Sequence, residues 1–246
     1  MAIPRHKVFI SFQHGCQEKN KPCGTKYILR TPSPQLGILS TIQNPLVSIP
    51  IVEFNKCNGY CGRNRLNPFQ LNSKCSNYDI CGNYWKERFE HLFSLNTDGF
   101  VNKAVNDGDI ALGLKTETIR QKIRDEFIAD ATVTVVLIGP KTWSRKYVDW
   151  EIGSSIRASQ KNPRCGLIGI FLPTHPDYGK PNYHPNIIPP RLYDNHKNGF
   201  ASLHHWSENP EIVQGWIHDA FVRRNRINPD NSYPSFINNK SANGWQ

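Results

Sequence analysis

Residues 133–152 read VTVVLIGPKTWSRKYVDWEI, a stretch that passes from a strand pattern through a loop into a helix. Its first part, VTVVLIG (133–139), is a short and nearly continuous apolar run bounded by turn residues. Such a run is typical of a strand that is buried on both faces of a parallel sheet. KVFISF (7–12) and GLIGIFLP (166–173) have the same character. The three runs therefore predict a central parallel sheet that is covered on both faces.

Helical patterns alternate with these strands. Three segments place apolar residues at helical spacing: 83–95, 116–130 and 209–224. In the second, Thr118 and Gln121 resemble a capping box; in the third, Asn209 is the expected N-cap, with Pro210 in the first turn. The residues of the third helix that we expect to face inward are Ile212, Val213, Trp216, Ile217, Ala220 and Phe221. The alternation predicts an α/β fold, a flavodoxin-like three-layer sandwich around the parallel sheet.

The segment 14–82 interrupts this alternation. It is rich in Pro, Gly, Asn and Cys, and it contains one candidate strand at LVSIPIVEF (46–54). We interpret it as a long Cys-rich insertion after the first strand. A second irregular stretch begins at 174, so 174–246 is expected to be an irregular segment followed by the C-terminal helix. The chain is predicted to form a single domain over 1–246.

The insertion carries six of the seven cysteines of the chain. Cys57-x3-Cys61 and Cys75-x5-Cys81 can supply thiolates to a tetrahedral zinc ion, although neither pair has the tight C-x2-C spacing. A disulfide framework is not expected in a reducing cytosol. The sequence leaves open whether these four residues bind zinc or are small buried thiols, and our prediction includes no metal site.

The composition indicates a cytoplasmic protein with an anionic partner. Hydrophobic residues make up 38% of the chain, enough for a packed core. No stretch reaches the length of about 18–20 apolar residues that a membrane span needs, and the N-terminus does not resemble a secretory signal. The net charge of +10 suits an anionic ligand. Nucleic acid is not the expected partner, because no aromatic and basic stripe or zinc-finger spacing is present.

Candidate functional residues follow the predicted strands, where ligands of open parallel sheets bind. Ser11 and Phe12 end the first strand, Asp109 lies in the loop 105–114, and the loop after 133–139 leads into a helix that contains Glu151. A carboxylate there can bind sugar hydroxyls and stabilise positive charge on an anomeric carbon. Flat ligand rings can stack on aromatic residues at this edge: Phe12, Trp143 and Tyr147. The residues alone leave open whether Glu151 is such a carboxylate or an exposed helix acid.

The stretch 133–152 resembles the part of TIR domains that runs from a buried strand, through a Ser-containing loop, to the helix bearing their catalytic glutamate. In bacterial TIR enzymes it ends with an aromatic residue, Val, any residue, an aromatic residue and Glu. The corresponding residues here are Tyr147, Val148, Asp149, Trp150 and Glu151. KVFISFQH (7–14) resembles the first TIR box. The stretch 100–139 is most similar to the TIR-like family of the Thoeris anti-phage systems.

The resemblance implies an enzyme that cleaves NAD, its substrate, into nicotinamide and a cyclic ADP-ribose signal. It implies that Glu151 is catalytic and that Ser11, Phe12, the 105–110 loop with Asp109, and Ser144 line the NAD site, beside Trp143 and Tyr147. It further implies a homo-oligomer, an effector protein activated by the product, and a phage-derived trigger. No cofactor beyond NAD, no metal and no membrane are expected.

Two other functions remain open. Many TIR domains are non-catalytic interaction modules, for which Glu151 would be dispensable. A nucleic-acid protein with a zinc-binding insertion is the third hypothesis; it requires salt-sensitive affinity for DNA or RNA. The linkage formed in the product also stays open, because it depends on the shape of the pocket.

Overall fold

The computed structural model describes residues 3–13, 27–28, 53–54, 82–101, 114–241 and 244–245. Its strands are β1 (Val8–Ser11), β2 (Tyr27–Ile28), β3 (Glu53–Phe54), β4 (Phe100–Val101), β5 (Val133–Ile138), β6 (Gly166–Phe171) and β7 (Ala201–His205). Its α-helices are α1 (Gly82–Phe93), α2 (Thr116–Lys122), α3 (Lys146–Ser155), α4 (Pro190–Lys197) and α5 (Pro210–Arg223). In this described part of the chain, every helix is too short or too polar to cross a membrane.

The chain divides into two compact units. One comprises Met1–Gly15 and Tyr78–Gln246, and the other comprises Cys16–Asn77. The described residues of the second unit are the antiparallel pair β2 and β3, in which Tyr27 lies opposite Phe54. The candidate strand 46–54 is therefore observed only at its last two residues, and the rest of it lies outside the described residues.

A five-stranded parallel sheet forms the centre of the first unit, with the order β4-β1-β5-β6-β7. Numbered along the chain within this sheet, the order is 2-1-3-4-5, which is the flavodoxin-like arrangement. Every residue of β5 and of β6 is buried, in agreement with their continuous apolar sequences. The predicted α/β sandwich around a parallel sheet is confirmed.

Two helical layers cover the sheet because successive strand residues point to opposite faces. Val8 and Ile10 of β1 pack in a core with α1 and α5. Phe9 points the other way and packs with the π-helical turn Ile123–Phe127 that continues α2, and with the aromatic residues of α3. α4 completes this second layer, through Leu192 and its neighbours. Ser11 follows the alternation of Phe9, so its side chain faces the layer that contains α3.

The helices agree with the sequence prediction in place but not in every detail. α1 and α5 lie where they are expected, and Asn209 caps α5 by accepting hydrogen bonds from the N–H groups of Glu211 (3.0 Å) and Ile212 (3.2 Å). The inward position predicted for Ile212 is wrong: its side chain is 47% exposed, in the first turn of α5. The capping box at Thr118 is also wrong, because α2 already begins at Thr116.

Regular structure extends further into the C-terminal region than the sequence indicates. α4 and β7 lie within the segment that we expected to be irregular. β7 has the sequence ASLHH and forms one edge of the sheet, so it needs no continuous apolar run. α4 begins at Pro190, and proline in the first turn of a helix is a start signal. The two-residue strand β4 at the other edge was too short to predict.

The contact between α5 and β6 gives a first test of the fold. A methyl group at Gly166 would overlap the backbone carbonyl of Ala220 in α5, and backbone atoms cannot move aside as a side chain can. We expect Gly166→Ala to lower the free energy of unfolding by about 1–3 kcal/mol, measured by urea denaturation. Gly215→Ala on α5 is the matched control, because a methyl group there meets nothing within 4 Å; it should be neutral or stabilising by up to about 1 kcal/mol. Equal stability of the two variants would contradict this packing.

The pH dependence of stability gives a second test of the fold, because it depends on the buried side chain of His6. Its ring is buried and stacks on Phe221. Its Nε2 atom lies 2.9 Å from Nδ1 of His218. Burial, with His218 and Arg224 nearby, lowers the pKa of His6 from 6.5 to about 4. Because the folded-state pKa is the lower one, the contribution of neutral His6 to stability is complete above pH 6.5 and is lost as the pH falls towards 4.

His6→Gln should therefore lose less stability than the wild type between pH 7 and pH 4.5, measured by urea denaturation at several pH values. Part of the pH dependence should persist, because burial also lowers the pKa of His204 to about 4. His91→Gln, at an exposed position, should retain the full wild-type dependence. An unchanged slope in His6→Gln would show that His6 is not held neutral.

Candidate active site

A short hydrogen bond joins the end of β1 to helix α3. Ser11 Oγ donates to Glu151 Oε2 at 2.7 Å. Ser11 is 0% exposed and Glu151 is 1% exposed. The alternative that Glu151 is an exposed helix acid is therefore wrong.

The topology of the sheet places this pair where ligands bind in such folds. β1 and β5 are neighbours, with Ser11 in register with Val136, and the strand order reverses between them. In folds of this kind, the helices that follow the two strands cover opposite faces of the sheet, and ligands bind outside the carboxyl ends of the strands at this point. Ser11 is the last residue of β1, and α3 is the first α-helix after β5. The buried Glu151 carboxylate thus lies next to the switch point of the sheet.

The loop between β5 and α3 is held by its own hydrogen bonds. The Gly139 N–H donates to Thr142 Oγ1 at 2.9 Å, and this hydroxyl donates to the Leu137 carbonyl at 3.3 Å. Ser144 Oγ donates to the Lys141 carbonyl at 2.8 Å. Sequence reasoning missed the role of Thr142, although threonine hydroxyls commonly bond to nearby backbone groups in turns. These bonds set the path of the loop that leads into α3.

The structure brings together some of the predicted site residues and places another, Phe12, on the opposite face of the sheet. Trp143 and Ser144 are buried in the loop before α3. Tyr147 lies one turn before Glu151 on α3, so the two share a helix face; its ring meets Trp150 edge-on at 5.5 Å. Phe12 is buried in the core with α1 and α5, on the opposite face of the sheet from Ser11. Asp109 and the rest of the 105–110 loop lie outside the described residues.

The C-terminal segment 230–240, which we call the strap, runs along α3 and was not anticipated from the sequence. Near the end of the helix, Asn231 Nδ2 donates to the Gly153 carbonyl at 2.9 Å. In the middle, the Trp150 indole donates to the Phe236 carbonyl at 2.8 Å. At the start, the Lys146 N–H donates to Asn239 Oδ1 at 2.9 Å. The strap therefore follows α3 in the antiparallel direction over its whole length.

The start of α3 is engaged by other parts of the protein. The first N–H group of the helix, from Lys146, is taken by the strap. The Lys146 ammonium lies over the rings of Tyr147 (4.7 Å) and Trp150 (5.0 Å). Both groups are thus engaged within the protein.

A second buried carboxylate on α3 forms an ion pair. Asp149 Oδ1 accepts from Arg191 Nε at 3.1 Å, and its Oδ2 accepts from the Phe236 N–H at 3.0 Å. Arg191 also donates to Asn231 Oδ1 (2.6 Å) and to the Tyr233 carbonyl (2.6 Å) through its two other nitrogens. Sequence reasoning missed both members of the pair. They lie 42 positions apart, and Arg191 falls in the segment that was expected to be irregular.

The described residues contain no group of three or more His, Cys, Asp or Glu side chains placed to hold a metal ion. Cys57, Cys61, Cys75 and Cys81 lie outside these residues. The chemistry that the described site offers is that of a buried carboxylate beside the switch point of the sheet, which can stabilise positive charge on a bound ligand.

Comparison with known protein families gives one match. Residues 83–177 match the family model of the Thoeris protein ThsB, TIR-like domain. The match covers less than half of the chain and includes Glu151, whereas Ser11 precedes it. No curated protein and no solved structure matches the chain. The family match confirms the resemblance to Thoeris TIR-like proteins, and the sheet order agrees with a TIR or flavodoxin-like fold.

The Ser11–Glu151 bond can be measured with a double-mutant cycle. Ser11→Ala removes the donor to a buried carboxylate and should lower the free energy of unfolding by about 1.5–3 kcal/mol. In the Glu151→Gln background the same change should have a smaller effect, because the bond no longer involves a charge. Ser155→Ala is the matched control, since its hydroxyl donates to Ile152 within α3. If Ser11→Ala has equal effects in both backgrounds, the two side chains are not coupled.

Proposed function

We propose that this Thoeris TIR-like protein cleaves NAD into nicotinamide and a cyclic ADP-ribose signal in anti-phage defence. The observation that carries the proposal is the buried Glu151 carboxylate, held by Ser11 at the switch point of the sheet. Glu151 lies inside the segment that matches the Thoeris TIR-like family. Its environment suits a cleavage reaction in which positive charge develops on a sugar carbon.

The reaction starts from the positively charged nicotinamide ring of NAD. The bond between this ring and the ribose C1′ breaks, and neutral nicotinamide leaves with the bonding electrons. The positive charge passes to the ribose, in an oxocarbenium-like transition state. Glu151 stabilises this charge from a water-poor environment, where an electrostatic interaction is stronger than in bulk water.

A nucleophile on the same ADP-ribose then attacks C1′ and closes the ring. If the nucleophile is a hydroxyl group, it loses its proton as the new bond forms. Water in its place would give linear ADP-ribose. A pocket that excludes water therefore favours the cyclic product.

In this proposal the loop before α3 and the end of β1 form the NAD site. Trp143, Ser144 and Tyr147 lie on the same edge of the sheet as Glu151 and are proposed to line it, with Asp109 from the 105–110 loop. Phe12 is proposed to support the end of β1 from the opposite core, because it is buried there. The role of Ser11 is to orient the Glu151 carboxylate.

We further propose that the enzyme works in the cytoplasm as a homo-oligomer, in which a neighbouring subunit completes the pocket. A phage-derived component would trigger assembly, and the product would activate an effector protein. The resting enzyme is then slow, and its turnover per molecule rises with protein concentration.

Mass spectrometry of the reaction products tests the proposal. Purified wild-type protein, and lysate from phage-infected cells that express it, should convert NAD into nicotinamide and a product with the mass of cyclic ADP-ribose. Glu151→Gln should lower the rate by about 100-fold or more, which is the effect of removing one strong electrostatic contribution in a buried site. Glu211→Gln, an exposed position in the first turn of α5, should leave the rate unchanged.

Two results would contradict the proposal. No loss of NAD with folded wild-type protein, in either sample, would favour a non-catalytic interaction module. Full activity of Glu151→Gln would place the chemistry on another residue.

A further inference from the structure

Helix α3 is held from two opposite sides. Asp149 and Glu151 are two residues apart, so their side chains leave the helix at about 200° to each other. Glu151 points to β1 and bonds to Ser11. Asp149 points away from the sheet and bonds to Arg191 and to the strap. Any roll of α3 about its axis therefore disturbs both sets of bonds.

Arg191 is the centre of the hydrogen bonds on the Asp149 side of α3. It is 0% exposed and extends from α4. Its three nitrogens bond to Asp149, to Asn231 and to the Tyr233 carbonyl. The planar fork of a guanidinium fixes these partners in one arrangement, which a lysine could not do. Arg191 thereby links α3, α4 and the strap.

The strap also fixes α3 along its axis. Asn231 bonds to the Gly153 carbonyl near one end, and Asn239 accepts from the Lys146 N–H at the other. Lys240 adds a bond from its N–H to the Ser144 carbonyl at 2.8 Å. Within the described residues, Arg145 at the N-cap position provides no side-chain bond to the start of α3. Asn239 thus performs this capping function from a distant part of the sequence.

We propose that Arg191, Asp149 and the strap are positioning elements that set the orientation of Glu151 for the reaction. This inference rests on the proposed NAD cleavage. A carboxylate about 6 Å from the helix axis moves by about 1 Å when the helix rolls by about 10°. A misplacement of about 1 Å lowers a rate by about 100-fold. The bonds of Asp149, Arg191 and the strap therefore affect the rate although none of these residues contacts the substrate.

The test uses the full chain and variants of two partly or fully exposed strap residues, so that the buried ion pair stays intact. Asn231→Ala/Asn239→Ala removes one bond partner of Arg191, the bond to Gly153 and the cap of α3. We expect kcat for NAD cleavage to fall by about 10- to 100-fold, with KM changed by less than about threefold, because the residues that bind NAD are untouched. Asn231→Ala/Asn239→Asp should regain part of the loss, since aspartate is also a good cap.

Asn228→Ala is the matched control. Asn228 precedes the strap, and its Oδ1 accepts from Arg164 at 3.2 Å, before the start of β6. This variant should keep the kcat of the wild type. All rates are compared at a temperature at which near-ultraviolet circular dichroism shows each variant to be fully folded, so that a change in stability alone does not alter kcat.

Amide hydrogen exchange without NAD separates this inference from the proposed function. Exchange over 146–155 should be at least about tenfold faster in Asn231→Ala/Asn239→Ala than in the wild type, with no change over 82–93. Unchanged exchange over 146–155 overturns the inference, whether or not the wild type cleaves NAD. Faster exchange with a wild-type kcat overturns it as well. If exchange is faster in the variant but the wild type never cleaves NAD, the result supports the role of the strap in holding α3 and overturns the NAD chemistry.

Discussion

Helix α3 buries two carboxylates, Asp149 and Glu151, and the rest of the domain is arranged to satisfy both. A buried charge without partners is far too unfavourable to persist in a folded protein. Both side chains therefore need hydrogen-bond donors, and they need them on opposite sides of the helix. β1 supplies one of these donors through Ser11. α4 and the strap supply the others through Arg191 and the Phe236 N–H.

The main effect of the Asp149–Arg191 pair is to fix the orientation of α3 rather than to raise the free energy of unfolding. Removing two charges from water carries a penalty that their mutual attraction repays only when the remaining hydrogen bonds are also made. Here they are made, since each of three Arg191 nitrogens has an acceptor. An apolar pair of similar volume would fill the same space, but it would not dictate which way α3 faces. The directional bonds of a guanidinium do so.

Sequence patterns predicted the centre of the fold, where burial imposes an apolar pattern. They missed its periphery, where burial imposes no such pattern. β5 and β6 are buried on both faces, so their sequences are continuously apolar and easy to recognise. β7 is an edge strand with the polar sequence ASLHH, and burial imposes no such pattern on it. The strap is held by individual hydrogen bonds to α3 rather than by an apolar face, so it has no periodicity to detect. Glu151 could be recognised because its neighbours Tyr147 and Trp150 form a familiar pattern, whereas the partners that hold its helix could not.

The segment that matches the TIR-like family and the residues that support its glutamate are different parts of the chain. Residues 83–177 include Glu151 and the whole of α3. Ser11 precedes this segment, and Arg191 and the strap follow it. The matched segment alone therefore contains the chemical group but lacks the described bonds that fix it from either side. A reacting carboxylate must be held to within a fraction of an ångström, so in the proposed reaction the flanking parts of the chain would matter as much as the matched segment does. A family pattern can identify the catalytic candidate, and the three-dimensional contacts are needed to identify what holds it in place.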